Sequence, residues 1–430
     1  MTFLPIFLCV AGFLSTVAAG KHDIYSGYSV YGVHLRDRSD QKVLYDLQIE
    51  LNVDIWDHGA PEVNDALVMV SKEIGTKFLD KLDENGMNHY LHLADVATSL
   101  EEHDRELSNW KQSRTNRMLF ENYPTYEEVD AYLERIAAEY PHLVTLVNAG
   151  PSFEGRPVKY LQISSSNFTD TTKPIYFLDA TMHAREWVTL PVALYTIYRL
   201  VENPRDQDRD LLENIDWIVL PIVNPDGYVY SHTTERLWRR TRSFNASVTT
   251  ECWGVDANRN FDVNFNTLGV SNNFCSNTYP GQVPFSEPET RYVRDIILEN
   301  INRIQLYLNV HSHGNYVLFG YGNATLPPNV VQLHHVAATM GAAIDTKKLP
   351  QARYYLIGNS NMALYGSSGS AQDYGQFVGV PFSYTLELPG YTYSFQVPPQ
   401  YINQINTETW EGIAASARLA NLYYRARNSN

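Results

Sequence analysis

The chain has 430 residues, enough for two or three domains of ordinary size. Its 33 Lys plus Arg against 48 Asp plus Glu leave a formal charge of −15, so no general attraction for nucleic acid or anionic lipid is expected. Hydrophobic residues at 44% and aromatics at 13% support packed cores and set the chain apart from disordered sequences.

Residues 3–17 form a short apolar run that ends in the small residues Thr16-Val17-Ala18-Ala19-Gly20. We read residues 1–19 as a secretory signal peptide, although no basic residue precedes Phe3. The run is too short to span a bilayer comfortably, and no later stretch approaches about 18 apolar residues, so a secreted, extracellular protein away from the membrane is expected. Removing the signal takes Cys9 and leaves Cys252 and Cys275. In an oxidising compartment this pair closes a loop of roughly 23 residues, worth about 3 kcal/mol as a disulfide; the alternative is two buried thiols. Sequons at Asn167, Asn245 and Asn323 are compatible with a secreted glycoprotein.

From Lys21 to about Ser99 the pattern is a small α+β domain. It reads as a strand over 43–53, a polar helical stretch opened by Pro61, an Asn85-Gly86 turn and a strand over 89–93. Residues 95–117 read as a charged helical arm ending at Arg114 and Arg117, two positions for a trypsin-type cut. More than half of the excess acid lies between residues 20 and 114, so this segment is either a cover for a basic cleft or simply a solvated acidic surface.

Beyond Asn122 strands and helices alternate. Helices are predicted over 126–140, 187–201, 287–300, 329–344 and 407–424, and strands over 144–148, 158–164, 174–179, 216–220, 304–310 and 382–388. The fold class is α/β, a mixed central sheet covered by helices and preceded by a small α+β open-sandwich domain. The domain assignment is signal 1–19, prodomain 20–99, connecting arm 100–117 and catalytic domain 118–430.

Functional groups of an open α/β sheet gather beyond the carboxyl ends of its strands. Three such ends deliver His183 with Glu186, His311-Ser312-His313, and Glu387. Two imidazoles and one carboxylate, with a second carboxylate free to act as base, make a catalytic zinc set. His313 is assigned to the cleft wall and His334-His335 to a helix surface. No His-Glu-x-x-His, Gly-x-Ser-x-Gly, phosphate-binding glycine loop or Cys-x-x-Cys competes. Arginines are dense at Arg236, Arg239, Arg240 and Arg242 and at Asn258-Arg259. Forked donors suit a carboxylate or an oxyanion, and structural ion pairs are expected for Arg236, Arg240 and Arg242.

His183-Ala-Arg185-Glu186, Arg239, Asn258-Arg259, His311-Ser312, Tyr365 and Glu387 together resemble the zinc metallocarboxypeptidases, specifically the pancreatic-type procarboxypeptidases A and B. The resemblance runs from the prosegment to the C-terminal helix, and its ligand set is that of carboxypeptidase A itself. It implies one Zn²⁺ per chain on His183, Glu186 and His311, with Glu387 as general base and then acid. Arg239 would stabilise the oxyanion. Asn258, Arg259 and Tyr365 would hold the terminal carboxylate of a peptide, with Arg185 and Ser312 among the substrate-binding residues. It also implies a Cys252–Cys275 disulfide, a prodomain that inhibits in cis, activation by a trypsin-like protease and a monomeric digestive enzyme.

By alignment Gln372 occupies the floor of the pocket for the last side chain, where B-type enzymes place an Asp and A-type enzymes an Ile. A neutral amide offers a buried ammonium no countercharge, so basic C-terminal residues are expected to be poor substrates. Ser360, Ser367 and Gly322 make that pocket roomy and polar, while the adjacent Asp373 would reverse the expectation if it pointed in. The competing readings are a catalytically silent peptide-binding homologue, a regulatory peptide-processing carboxypeptidase and a non-metal hydrolase. The first would usually lack a ligand or the base, and the second is expected to lack this prosegment.

Overall fold

The computed structural model describes residues 20–113, 118–247 and 249–428. The segment read as a signal peptide and the two candidate cleavage positions, Arg114 and Arg117, lie outside the described residues.

The first domain carries a four-stranded antiparallel sheet of β1 (Ser29–Val33), β2 (Asp54–Asp57), β3 (Ala66–Val70) and β4 (His89–Leu93), in the order β2-β3-β1-β4. Helices α1 (Arg38–Leu51) and α2 (Gly75–Glu84) cover it. The strand expected over 43–53 is therefore the helix α1. Leu44, Leu47, Gln48 and Leu51 bury one helical face, while Ile49, which strand alternation would have placed inside, is 48% exposed. Asp37 caps the start by accepting from Ser39 N at 2.7 Å, and Asn52 ends it at φ 52°. The helical stretch expected from Pro61 is instead a turn leading into β3. Helix α3 (Val96–Gln112) is continuous across residue 99, where the prodomain was expected to end.

The second domain is an eight-stranded mixed sheet with helices on both faces. Its strands are β5 (Val144–Pro151), β6 (Pro157–Ile163), β7 (Ile175–Ala180), β8 (Asp216–Leu220), β9 (Ile304–Ser312), β10 (Tyr316–Phe319), β11 (Leu356–Asn359) and β12 (Phe382–Leu388). The order is β11-β10-β12-β9-β7-β8-β6-β5, with β8, β7, β9 and β12 mutually parallel. Every residue of β7, β8 and β9 is buried, as expected of central parallel strands covered on both faces.

Side-chain alternation divides the core in two. Tyr176, Leu178, Leu308 and Leu386 face α4 (Tyr126–Glu139), α5 (Thr189–Val201), α9 (Val330–Asp345) and α12 (Ile402–Asn428). Phe177 and Tyr307 face the opposite way, towards α8 (Pro288–Glu299) and α11 (Ala371–Val378). Thr125 and Glu128 form a reciprocal capping box at α4. Three short helices, α6 (Arg209–Asn214), α7 (Pro225–Thr233) and α10 (Ser360–Ala363), together with β10, β11 and α11, were not anticipated.

The domains share an apolar seam in which Tyr25, Trp56, Val96 and Leu100 meet Leu237 and Phe395. No helix among the described residues is long and apolar enough to cross a membrane.

Candidate active site and metal centre

Strand β7 ends at Ala180, and Thr181 then turns with φ 56°, a strained value for a β-branched residue. The turn is held by Thr181 Oγ1 donating to the Pro221 carbonyl at 2.9 Å. It delivers His183 and Glu186, while β9 delivers His311 directly; the three are buried and form the one metal-capable cluster among the described residues. His183 Nδ1 lies 2.7 Å from Glu186 Oε1, His311 Nδ1 lies 2.9 Å from Glu186 Oε2, and the two Nδ1 atoms are 3.0 Å apart. Donors around tetrahedral zinc with bonds near 2.0–2.1 Å would be roughly 3.3 Å apart, so the cluster is slightly tighter than the ion requires, and its two imidazoles and one carboxylate are donors that zinc takes.

The opposite ring nitrogens are also engaged. His183 Nε2 lies 2.9 Å from Asp256 Oδ1, and Asp256 Oδ2 accepts from Arg239 Nη2 at 2.9 Å. Burial would raise the Asp256 pKa, but Arg239, His183 and Arg259 outweigh it and hold the carboxyl well below the usual range. Glu387, beside His311 in the β12/β9 register, behaves in the opposite way: burial and the Glu186 carboxylate push it well up against the pull of Arg239 and Arg259.

Arg259 Nη2 donates to Tyr365 Oη at 2.8 Å, and Asn258 Oδ1 accepts from Ala371 N at 2.8 Å. Asn258, Arg259, Tyr365, Arg185 and Ser312 line a single cleft with His183, Glu186, Arg239 and Glu387. Ser312 N donates to Glu186 Oε2 at 3.2 Å. Gln372 lies outside this cleft lining, buried at the start of α11, where its Oε1 accepts from Thr385 Oγ1. Asp373 Oδ2 accepts from Gly322 N at 2.7 Å, and a Cβ on Gly320 would fall 2.7 Å from Oδ1, so both oxygens lie against the 320–322 turn. Burial pushes Asp373 up to about 7.

Of the three arginines expected to form structural ion pairs, Arg242 has one, with Glu154, and Arg236 and Arg240 have none among the described residues. Arg236 makes no ion pair among the described residues; it donates to the Arg185 and Phe395 carbonyls and lies 3.7 Å over the Trp187 ring. Arg240 likewise donates to the Phe274 carbonyl at 2.6 Å, while Arg242 pairs with Glu154 at 3.7 Å and lies 3.7 Å over the Tyr230 ring. In an interior crowded with aromatics, carbonyls and ring faces take the place of a carboxylate around Arg236 and Arg240, although their Nε atoms have no hydrogen-bond partner among the described residues. His313 lines the cleft, His334 and His335 are exposed on α9, and Cys252 and Cys275 form a disulfide with Cα atoms 5.1 Å apart.

The first domain fills the cleft. Asp54 accepts from Arg185 Nη1 at 2.5 Å, from Arg185 Nη2 at 3.1 Å and from Asn277 Nδ2 at 3.0 Å. The His58 ring stacks on Tyr365 at 3.6 Å, and burial together with Arg259, Arg239 and Arg185 pushes its pKa down to about 3. Only about 70 Å³ of cavity remains, space for two or three waters. Sequence reasoning missed Asp54, His58, Asp256 and Asn309. Asn309, two residues before His311 on the same strand face, was the one that period-2 alternation could have exposed.

Comparison with known proteins defines the class. The zinc carboxypeptidase family matches residues 129–412, and the carboxypeptidase activation peptide matches 31–103. Carboxypeptidase B of Helicoverpa zea is 40% identical over 96% of this chain and 98% of that protein. Zinc carboxypeptidase A 1 of Drosophila melanogaster is 32% identical over 96% of each. Among solved structures, carboxypeptidase A from Helicoverpa armigera superposes with a TM-score of 0.89 at 42% identity, covering 93% of this chain and 98% of that one. The chain belongs to the zinc carboxypeptidase family and carries its activation peptide, which makes it a zymogen of a zinc-dependent peptidase.

Proposed function

We propose that this is the secreted zymogen of a digestive, A-type carboxypeptidase that releases neutral C-terminal residues from peptides and proteins. Its first 19 residues act as the signal, and a trypsin-like protease frees a monomeric enzyme by cutting after Arg114 or Arg117. His183, Glu186 and His311 hold the zinc, a reading supported by their mutual distances and their buried donor set. When bound in such a site, zinc supplies Lewis acidity towards a carbonyl and lowers the pKa of water.

The chain's own groups do the rest. Asn258, Arg259 and Tyr365 grip the terminal carboxylate at a fixed distance from the metal cluster, so only the last peptide bond reaches the chemistry. Arg239, adjacent to both Asp256 and Glu186, donates to the carbonyl oxygen as it gains negative charge. Glu387, raised by burial, takes a proton from water and returns it to the leaving amine. The cis-inhibited state is supported by Asp54 and His58, which occupy Arg185 and Tyr365.

The observation that carries the A-type reading is Gln372. Its buried carboxamide is already engaged by Thr385 and offers no charge to an incoming ammonium. A second reading, B-type specificity, rests on the buried Asp373 carboxyl one position further on. Release of single residues from matched peptides ending in Phe, Leu, Gln and Lys, after limited trypsin treatment and with or without a chelator, decides between them. Chelator-sensitive release of Phe, Leu and Gln above Lys is expected, and preferential release of Lys would overturn the A-type reading.

A further inference from the structure

The two histidines of the metal cluster are backed by different groups. His183 Nε2 faces the carboxylate of Asp256 at 2.9 Å, whereas His311 Nε2 faces the side-chain oxygen of Asn309. Asn309 is fully buried on β9, and alternation along that strand puts Tyr307, Asn309 and His311 on one face. In the parallel register Asp179 of β7 stands beside Asn309 on one side, and Thr385 of β12 stands beside it on the other. Asp179 accepts from Tyr307 Oη at 2.7 Å and from Asn309 Nδ2 at 2.6 Å.

These contacts leave little freedom in the amide. Burial pushes the Asp179 carboxyl up to about 7 against the hydrogen bonds from Asn309 and Tyr307; in its ionised form it accepts and does not donate, so the Asn309 nitrogen turns to Asp179 and its oxygen turns to His311. With Nδ1 given to a metal, His311 would carry its proton on Nε2, towards the Asn309 oxygen, and its Nδ1 lies on the side of Glu186 and His183. Asn258 Nδ2 also lies 3.4 Å from His311 Nε2, but there a donor meets a donor and nothing is gained.

We propose that Asn309, itself held by Asp179, is a positioning residue of the metal centre that fixes the tautomer and ring orientation of His311. The proposal rests on reading His183, Glu186 and His311 as the zinc ligands. Through Asn309 the strand below the cleft presents a ligand with its lone pair already aimed, and it does so with a neutral partner. One histidine is thus backed by charge and the other by an uncharged amide, which adds no further negative charge beneath the metal cluster.

The test is zinc affinity of the full chain, measured by competition with a chelator, for the wild type, Asn309→Leu, Asn309→Asp and His311→Ala. Asn309→Leu keeps the branched outline at a somewhat larger volume and removes the acceptor, and zinc should bind about 10–100-fold more weakly. Asn309→Asp restores an acceptor and should stay within a few-fold of wild type, although it places a second carboxyl beside Asp179. If Asn309 served packing alone, that buried acid pair would be at least as damaging as leucine. Wild-type affinity in a folded Asn309→Leu protein overturns the proposal.

Retention of zinc by His311→Ala would instead overturn the ligand reading beneath it. Nitrogen NMR of the zinc-loaded wild-type protein needs no variant to fold: a proton on His311 Nε2 is expected, and an unprotonated Nε2 would overturn the assignment.

Discussion

Removing the Asp54 carboxylate should uncouple the prodomain from the cleft. Asp54 is held by both terminal nitrogens of Arg185 and by Asn277, in an ion pair whose side chains are only 11% and 2% exposed. Breaking a buried pair by truncating one partner costs about 3–5 kcal/mol, because the other charge is left without a countercharge. In Asp54→Ala the emptied corner opens onto the remaining cavity and Arg185 can rehydrate, so the lower figure applies. Three kcal/mol corresponds to about a 150-fold weaker grip.

The assay is inhibition of the trypsin-cut, zinc-loaded enzyme by added prodomain, comparing Asp54→Ala and Asp54→Asn with wild type. Asparagine keeps the shape and loses the charge, so it should fall between the two. Equal inhibition by all three would refute the argument and shift the weight of autoinhibition to the His58 and Tyr365 stack and the apolar seam.

Four further outcomes follow from the geometry. Glu387→Gln should lower kcat by roughly 10²–10⁴-fold with little change in KM, measured on a Phe-ending peptide. Gln372→Asp should raise the Lys-to-Phe ratio of kcat/KM by tenfold or more, and an unchanged ratio would show that residue 372 does not reach the side-chain pocket. His103 on α3 is 4% exposed against Tyr123 and Trp187, and burial together with Arg236 pushes its pKa down to about 3. The undocked arm therefore binds a proton that the docked arm refuses; docking is full above about pH 6.5 and weakens as pH falls, by about 2 kcal/mol at pH 5. Release of the cut prosegment on gel filtration at pH 8 and pH 5 checks this, and His103→Phe should flatten the difference. Reducing the Cys252–Cys275 bond should lower the unfolding temperature of the enzyme, since the loop-closure contribution is about 3 kcal/mol.

Legibility in the sequence followed the length of the signal. The long periodic segments, α4, α5, α8, α9 and the central strands, declare themselves because burial on one or both faces imposes a period on their apolar residues. Helix α1 was misread because Val43, Tyr45, Leu47 and Ile49 mimic strand alternation; the helical set from Leu44 to Leu51 wins once the sheet beneath supplies a surface to cover. Short elements such as β10 and α11 carry too few residues to show a period. The metal cluster and Glu387 were visible as polar residues at the ends of apolar strands. Their partner Asp256 was not, because a buried Asp in a loop is indistinguishable in sequence from an exposed one, whereas Asn309 left only the period-2 hint of sharing a strand face with His311.

The same register explains why one strand serves both binding and chemistry. Below the cleft, Asp179, Asn309 and Thr385 lie side by side across β7, β9 and β12. Asp179 fixes Asn309, Asn309 meets the ligand His311, and Thr385 meets the pocket residue Gln372. Because β9 and β12 are hydrogen-bonded neighbours, a change at Gln372 that shifts Thr385 also strains the strand that carries His311. Altering residue 372 should therefore disturb zinc affinity in proportion to how far Thr385 moves. Gln372→Asp, which can still accept from Thr385, should leave zinc affinity near wild type, whereas Gln372→Arg should lower it. Equal zinc affinity in both variants would mean that pocket and metal centre are mechanically independent.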